Sequence, residues 1–502
     1  MLPTLLYVDR TLRRNNGIQT DVANDLDLTA LIDVMAAGCP VLHDKVFHMF
    51  QSDMAVRPED IFFRQAILRD AMGHADWFYL LNTTIEQAFQ KYDSIHKTSQ
   101  PGYTHFIPIT EQLHTALQLQ KILLDLVTAG ASLFATAAGF FSSSGMKELQ
   151  KAYDGFFSRD FLITFRNKYN EFNAITQDSC MIIAARPGDG LKVADCQIRH
   201  VGNRRKQVKP SKGSHVIKLS SISMQTKAID LRDTMLKNVL NFVKAINRQT
   251  ACDMRQLGNE VAFFAGCLNL ERELCRLDLP VCFPQPMPCD SSIFDFHGLI
   301  DVGLALRVGI KPISNTLNLD DEQMIIITGA NQGGKSTFLR SIGLAQIMMQ
   351  TGLFVAAESF VSRVCSGVMT HFCRAEDQSL DSGKLDEELC RINRTIDVIQ
   401  PHALLLMNES FSSTTSHDGT IIASEITAAL LRLDTRIFFV THLYSFAKKL
   451  EKSAQPHIAF LRAERNSDGV RSYRIREGTA LPTSFGLDLF HMFIDDEIMT
   501  AS

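Results

Sequence analysis

The stretch MIIITGANQGGKSTFL, from Met324 to Leu339, decides how the C-terminal part of this chain folds. An apolar run leads through Thr328 into a glycine-rich segment of the form GxxxxGKS, and an amphipathic pattern follows. This order predicts a buried strand, a loop that wraps phosphate groups, and a helix whose positive N-terminal end faces the anion. The stretch therefore predicts a site for a nucleoside triphosphate.

The residue types in this segment suit phosphate chemistry. Glycines let backbone N–H groups turn towards the phosphates, the Lys335 ammonium brings charge to the β and γ oxygens, and the Ser336 hydroxyl is a ligand for Mg²⁺. We expect Mg²⁺ as a cofactor. The predicted nucleotide-binding residues of the loop are Gly329, Ala330, Asn331, Gln332, Gly333, Gly334, Lys335, Ser336 and Thr337.

Two further apolar runs end in polar residues. The first, 402–408, leads into Glu409, which we predict to polarise the attacking water, while Asn408 stands where an Asp usually supports the metal. The second, 436–441, ends in His442; a single His after a strand is usually a loop residue, but in this order it fits a sensor of the γ-phosphate. The predicted catalytic residues are Lys335, Glu409 and His442, and the predicted metal ligands are Ser336 and Asn408.

Composition limits the class of protein. The chain has 502 residues, 45% of them hydrophobic, which allows two to four domains with substantial cores. Its net charge of −4 means that any nucleic-acid contact must come from a local basic patch. Eleven cysteines without CxxC pairs are typical of free thiols in a reducing compartment. With no run of 18 apolar residues and no signal-peptide pattern, we expect a cytoplasmic protein that contacts no membrane.

Helical periodicity dominates the chain before the proline-rich linker PVCFPQPMP, residues 280–288. Within it, Arg64, Arg69 and Asp70 are expected on a solvated helix face. Short apolar runs and turns at about 179–222 predict a small β excursion. No acidic residue lies between Cys196 and Ile229, so we define residues 199–227 as the basic stretch.

The basic stretch is the best candidate for a nucleic-acid contact outside any motif. It has no interleaved aromatic residues, so an ordinary solvated hairpin is the alternative. The predicted DNA-binding residues are Arg199, Arg204, Arg205, Lys206, Lys209 and Lys212.

The stretches TGANQGGKSTFLRSIGLAQIMMQTGLFVAAE, LLLMNESFSSTTSHDG and FFVTHL closely resemble the ATPase domain of the MutS family of DNA mismatch repair proteins. The resemblance implies a multidomain α and α/β fold, with a helical core domain at 1–110, lever helices at 111–285 and an ABC-type P-loop ATPase domain at 289–502. It further implies ATP as the nucleotide, duplex or branched DNA as the partner, and a homodimer with composite ATP sites.

The resemblance also implies roles for individual residues. Asn315 falls where the family contacts the adenine region. Ser382 and Gly383 would take the signature role in the partner's ATP site, and Thr415 and Asp418 would lie near the dimer seam.

Four departures from the family pattern shape the expected activity. This chain has Asn408-Glu409 where the family has two adjacent acidic residues, and Leu385-Asp386 where the family's signature has Ser-Thr. We therefore expect slow hydrolysis. Phe411-Ser412-Ser413 replaces a glycine-rich turn. The chain begins in the helical core and has no Phe-x-Glu motif in a suitable place, so we expect no mismatch-reading domain. Its C-terminus has no room for a nuclease domain, so we expect none.

Two functions from different classes follow. The leading hypothesis is a MutS-like ATPase that clamps duplex or branched DNA. The alternative is a nucleotide-gated scaffold that binds ATP and holds an RNA or protein partner with little hydrolysis. A transporter ATPase subunit fits less well, because the chain lacks an LSGGQ signature and carries a long helical region before the ATPase pattern.

Overall fold

A computed structural model of the chain forms two compact units. The helical unit comprises Met1–Thr4 and Asp76–Val261, and the sheet unit comprises Leu5–Ala75 and Ala262–Ser502. The described residues are 2–9, 11, 17–98, 107–176, 179–187, 193–203, 222–330, 332–373, 383–453, 455–465 and 471–480, of which 174–176, 179–187, 193–203, 222–229, 231, 465 and 471 are described by their backbone alone.

The boundaries between the two units differ from those of the predicted domains, which are 1–110, 111–285 and 289–502. Residues 5–75 belong to the same unit as the glycine-rich loop. Sequence periodicity identifies these residues as helical but carries no information on which distant segment they pack against. The assignment of core, lever and ATPase domains stays a prediction.

The sheet unit begins with short helices whose starts follow ordinary helix chemistry. α3 and α4 each carry a proline at their first position, and α4 adds Glu59 and Asp60 in its first turn, where the helix dipole favours acids. These helices are α1 (Thr20–Asp25), α2 (Leu28–Ala36), α3 (Pro40–Ser52) and α4 (Pro58–Gly73).

The prediction of a solvated face on α4 is wrong for two residues. Arg64 is fully buried and Asp70 is 6% exposed, whereas Arg69 is exposed as predicted. Arg64 Nε donates to Leu6 O at 2.8 Å, and Arg64 Nη1 donates to Asp53 O at 2.6 Å. Backbone carbonyls from other segments thus accept from two of the three guanidinium nitrogens, and helical periodicity cannot show such partners.

The helical unit contains most of the long helices. Its core includes Trp77, which packs edge-to-face on Phe134 and donates its indole N–H to Leu133 O at 3.1 Å. A hairpin lies within the segment where a β excursion is predicted, and its two strands pair antiparallel. The elements are α5 (Ala75–Thr98), α6 (Ile109–Thr136), α7 (Ser144–Phe156), α8 (Arg159–Thr176), β1 (Ser179–Pro187), β2 (Val193–Asn203) and α9 (Ile222–Arg276). Residues 262–276 of α9 belong to the sheet unit.

Among the described helices, α6 alone is long and apolar enough to cross a bilayer, judged by length and composition. Core helices of soluble proteins meet the same criterion. Leu113 and Leu117 of α6 share a buried cluster with Leu240 and Val243 of α9. The criterion is therefore weak support for a membrane span, and the absence of a membrane partner stays a prediction.

The remainder of the sheet unit alternates strands and helices, as the sequence predicts for its C-terminal part. The elements are β3 (Gln285–Met287), β4 (Phe294–Leu299), α10 (Val302–Val308), β5 (Asn315–Asn318), β6 (Met324–Thr328), α11 (Lys335–Thr351), β7 (Ser359–Arg363), β8 (Val368–Phe372), α12 (Lys384–Val398), β9 (Leu404–Asn408), α13 (Ser416–Leu431), β10 (Arg436–Val440), α14 (Tyr444–Ser453), β11 (Ile458–Arg465) and β12 (Arg471–Glu477).

These strands form two sheets. The larger has the order β12-β11-β6-β10-β9-β8, in which β12 pairs antiparallel and the others parallel; the smaller has the order β3-β7-β4-β5. Ile326, Phe439 and Met407 lie opposite one another on β6, β10 and β9. They share a buried core with Ala423 of α13 and Phe446 of α14. Because β6, β9 and β10 are parallel, the residues that follow them meet at one edge of the sheet.

Candidate active site

The glycine-rich loop connects β6 to α11 through backbone conformations that favour glycine. Gly329 has φ 121° and Gly334 has φ 88°, and Gln332 between them is also left-handed at φ 57°. A Cβ at Gly329 would lie 3.1 Å from Ala463 N, so β11 leaves little room for a side chain there. Asn331 lies outside the described residues.

Lys335, the first residue of α11, turns its ammonium back onto the loop. Lys335 Nζ donates to Gly329 O and to Ala330 O, each at 2.8 Å, and the residue is only 5% exposed. Burial lowers the pKa of Lys335, and the nearby Glu409 carboxylate partly opposes this shift. The loop therefore holds a fixed cation at the helix N-terminus, where an anion binds most favourably.

Ser336 and Asn408 bring two oxygen atoms together. Ser336 Oγ donates to Asn408 Oδ1 at 3.0 Å, so α11 and the end of β9 meet at this pair. Within the described residues, no group of three or more His, Cys, Asp or Glu side chains could hold a metal ion. The hydroxyl and amide oxygens suit a Mg²⁺ ion that takes its remaining ligands from phosphate and water.

Glu409 and His442 meet at the ends of β9 and β10. Glu409 N donates to Val440 O at 2.8 Å, and His442 Nε2 donates to Glu409 Oε1 at 3.2 Å. The hydrogen bond from His442 lowers the pKa of Glu409, burial opposes this, and Lys335 adds a smaller lowering effect. Glu409 is therefore ionised at neutral pH and can accept a proton or orient a water molecule.

A cavity of about 760 Å³ opens beside the loop. Its lining includes the polar groups of Gly334, Lys335, Ser336 and Glu409. The 310–313 segment also lines the cavity, with Lys311 and with the exposed, apolar Ile310 and Ile313. A lining of both kinds suits a ligand that carries an anionic group and an apolar ring.

Asn315 lines the same cavity but has a structural hydrogen bond. Asn315 Oδ1 accepts from Ile475 N at 2.8 Å, and the residue is 7% exposed. It therefore fixes β12 beside β5, and its predicted contact with adenine stays a prediction. β12 also brings the half-exposed Tyr473 to the cavity. Sequence reasoning missed Tyr473 and the 310–313 segment, because neither carries a motif and both reach the loop only through the fold.

Three of the four residues predicted for the dimer seam lie at helix starts. Gly383 precedes α12 as its N-cap residue. Thr415 caps α13: Thr415 Oγ1 accepts from Asp418 N at 3.2 Å and donates to Asp418 Oδ2 at 2.8 Å. This gives the pair a role in helix capping, while its predicted role at a dimer seam stays a prediction. Ser382 lies outside the described residues.

The predicted DNA-binding residues fall mostly beyond the described part of the chain. Arg199 lies on β2, which is described by its backbone alone. The others, which lie outside the described residues, are Arg204, Arg205, Lys206, Lys209 and Lys212.

Two family models match the chain. MutS domain V matches residues 325–499, a range that includes the glycine-rich loop, Glu409 and His442. The MutS2 N-terminal domain matches residues 56–277. The chain belongs to the MutS family. The predicted family is thus confirmed, and the MutS2 match adds a branch of this family that the sequence motifs did not single out.

Individual relatives in the MutS family are distant and longer. The DNA mismatch repair protein MutS of Streptococcus equi subsp. equi is 31% identical over 196 residues, which are 38% of this chain and 22% of that protein. The MutS of Microcystis aeruginosa is 28% identical over 250 residues, 45% of this chain and 28% of that protein. Human Msh3 is 31% identical over 177 residues, 34% of this chain and 16% of that protein. The chain thus spans less than a third of the length of these relatives.

Proposed function

We propose that this MutS-family chain binds and hydrolyses ATP with Mg²⁺ and uses the nucleotide to clamp duplex or branched DNA, in a role related to mismatch repair. One observation carries the ATPase part of the proposal. The ends of three parallel strands bring Lys335, the Ser336–Asn408 pair and the Glu409–His442 pair to one edge of a sheet beside a cavity.

Each group in this site has a task in phosphoryl transfer. Lys335 would exchange its loop carbonyls for β and γ oxygens and offset their charge, and Ser336 and Asn408 would hold Mg²⁺. Mg²⁺, when bound, neutralises charge that develops on the phosphates. Glu409 would orient the attacking water, and His442 would hold Glu409 in place and sense the γ-phosphate.

The remaining parts of the proposal rest on the resemblance to the family. We assign the helical core, the levers and the ABC-type P-loop domain to the predicted ranges, with the composite ATP site completed by Ser382 and Gly383 of a second copy. DNA as the partner is supported by the DNA mismatch repair function in the relatives' names and by the charge of the basic stretch.

Steady-state ATP hydrolysis by the purified chain tests the proposal. We would measure it alone and with matched duplex, mismatched duplex, four-way junction, single-stranded DNA and structured RNA. We expect one DNA form to stimulate turnover, Glu409→Gln to abolish turnover while ATP still binds, and Lys335→Ala to abolish binding. Turnover that survives Glu409→Gln would contradict the assigned chemistry.

A second function is favoured by one observation. Asn408 offers Mg²⁺ a neutral amide oxygen where a carboxylate would bind more tightly. This favours a nucleotide-gated scaffold for an RNA or protein partner that hydrolyses little. ATP binding without turnover in the presence of any of the nucleic acids would support the scaffold over the ATPase.

A further inference from the structure

The turn that follows β9 has an unusual backbone. Glu409 has φ 56° and Phe411 has φ 63°, so two residues with large side chains adopt the left-handed conformation within three positions. Such backbone persists only where the surroundings hold it. The orientation of the Glu409 carboxylate therefore depends on what holds this turn.

A buried carboxylate on α12 binds the turn directly. Glu388 is 3% exposed, and both of its carboxylate oxygens are engaged. Glu388 Oε1 accepts from Phe411 N at 2.5 Å, and Glu388 Oε2 accepts from the Ser413 hydroxyl. Hydrogen bonds to a charged acceptor are stronger than those between neutral groups, so Glu388 is well suited to hold a strained turn.

A buried imidazole makes a second link between α12 and the turn. His371 Nδ1 lies 2.7 Å from Ser410 Oγ, and His371 Nε2 lies 3.2 Å from Glu388 O. Ser410 Oγ also donates to the backbone carbonyl of His371 at 2.8 Å, so both the side chain and the backbone of His371 contact this hydroxyl. Residues 410, 411 and 413 are thus all joined to one turn of α12.

We propose that Glu388 is a positioning residue that holds the 409–411 turn so that the Glu409 carboxylate faces the nucleotide. The proposal rests on the proposed ATP hydrolysis at Glu409. Glu388 lies in the second turn of α12, which starts directly after Gly383, so its hydrogen bonds join the start of this helix to the catalytic turn.

Four variants test this role through kcat, the KM for ATP and the affinity for a fluorescent ATP analogue. Glu388→Ala should lower kcat about tenfold or more while KM and analogue affinity stay within about twofold, because the binding loop is untouched. Glu388→Gln should retain kcat within about threefold, since its amide oxygen can accept from Phe411 N and its amide nitrogen can donate to Ser413. Ser413→Ala should lower kcat less than Glu388→Ala. Asp397→Ala, an exposed change at the far end of α12, is the matched control and should leave all three quantities unchanged.

The outcomes separate this inference from the proposed function. Wild-type turnover that Glu409→Gln abolishes upholds the proposed function, and an unchanged kcat in Glu388→Ala would then overturn the positioning role alone. Equal losses of kcat and analogue affinity in both Glu388 variants would also overturn it, because a general structural role predicts that result. Should Glu388→Ala fail to fold, an unchanged kcat in Ser413→Ala overturns the inference. No turnover by the wild type would overturn both.

Discussion

Ser336 Oγ donates a hydrogen bond of 3.0 Å to Asn408 Oδ1, so the first turn of α11 is joined to the end of β9 at the candidate metal site. The pair is neutral on both sides. A hydroxyl and an amide oxygen together offer Mg²⁺ less electrostatic attraction than a hydroxyl and a carboxylate. We therefore expect the identity of residue 408 to set how much free Mg²⁺ the site needs.

Asn408→Asp should lower the Mg²⁺ concentration for half-maximal ATP hydrolysis by about tenfold, because it adds a full negative charge next to Ser336. Turnover at limiting Mg²⁺ should rise accordingly. The measurement is ATPase rate against Mg²⁺ concentration. Asn24→Asp, the same change at an exposed position of α1, should leave the curve in place. An unshifted curve for Asn408→Asp would remove residue 408 from the metal site.

The sequence was sufficient to predict the local arrangement around the loop. Lys335, Glu409 and His442 each follow a buried strand of a parallel sheet, and such strand ends meet at one edge. The sequence could not predict contacts that form only by tertiary packing. Helical periodicity predicts a solvated position for Arg64, because the carbonyls that bind it lie in other segments of the chain. Glu388 shows no motif, because its partners lie more than twenty residues further along the chain.

The pH dependence of hydrolysis should reflect Glu409 and Lys335. In the proposed mechanism Glu409 acts as the carboxylate, so activity should be present above its pKa and be lost as pH falls through it. The hydrogen bond from His442 lowers this pKa below the ordinary Glu value of 4.5. In the same mechanism Lys335 acts as the ammonium, so activity should be lost as pH rises through its pKa, which burial lowers below 10.5.

His442→Ala should shift the acid side of the kcat/KM profile to higher pH, because the hydrogen bond that lowers the pKa of Glu409 is gone. Profiles of wild type and variant, compared with His114→Ala at an exposed position of α6, provide the check. An acid side that does not move in His442→Ala would show that Glu409 is not the group that titrates.

Charge reversal in the basic stretch should weaken DNA binding. Changing Arg204, Arg205 and Lys206 to Glu removes three candidate phosphate contacts, so the slope of log Kd against log salt should fall by about three and the affinity should drop at low salt. Changing Arg432, Lys449 and Lys452 to Glu, all exposed in the sheet unit, makes the same charge difference elsewhere and is the control. Equal effects of the two triple variants would show that only net charge matters.

Arg64 should be among the residues on which the stability of the sheet unit depends most. Arg64→Ala leaves the carbonyls of Leu6 and Asp53 without these buried donors and opens a cavity beside Gly352, whose Cβ, if present, would lie 2.5 Å from Arg64 Cβ. We expect a loss of about 3 kcal/mol or more in the free energy of unfolding, seen as a lower urea midpoint by circular dichroism. Arg69→Ala removes an exposed guanidinium from the same helix, 4.1 Å over the Phe283 ring, and should cost about 1 kcal/mol or less. Similar losses in the two variants would mean that the buried hydrogen bonds of Arg64 add little to stability beyond what an exposed arginine of α4 contributes.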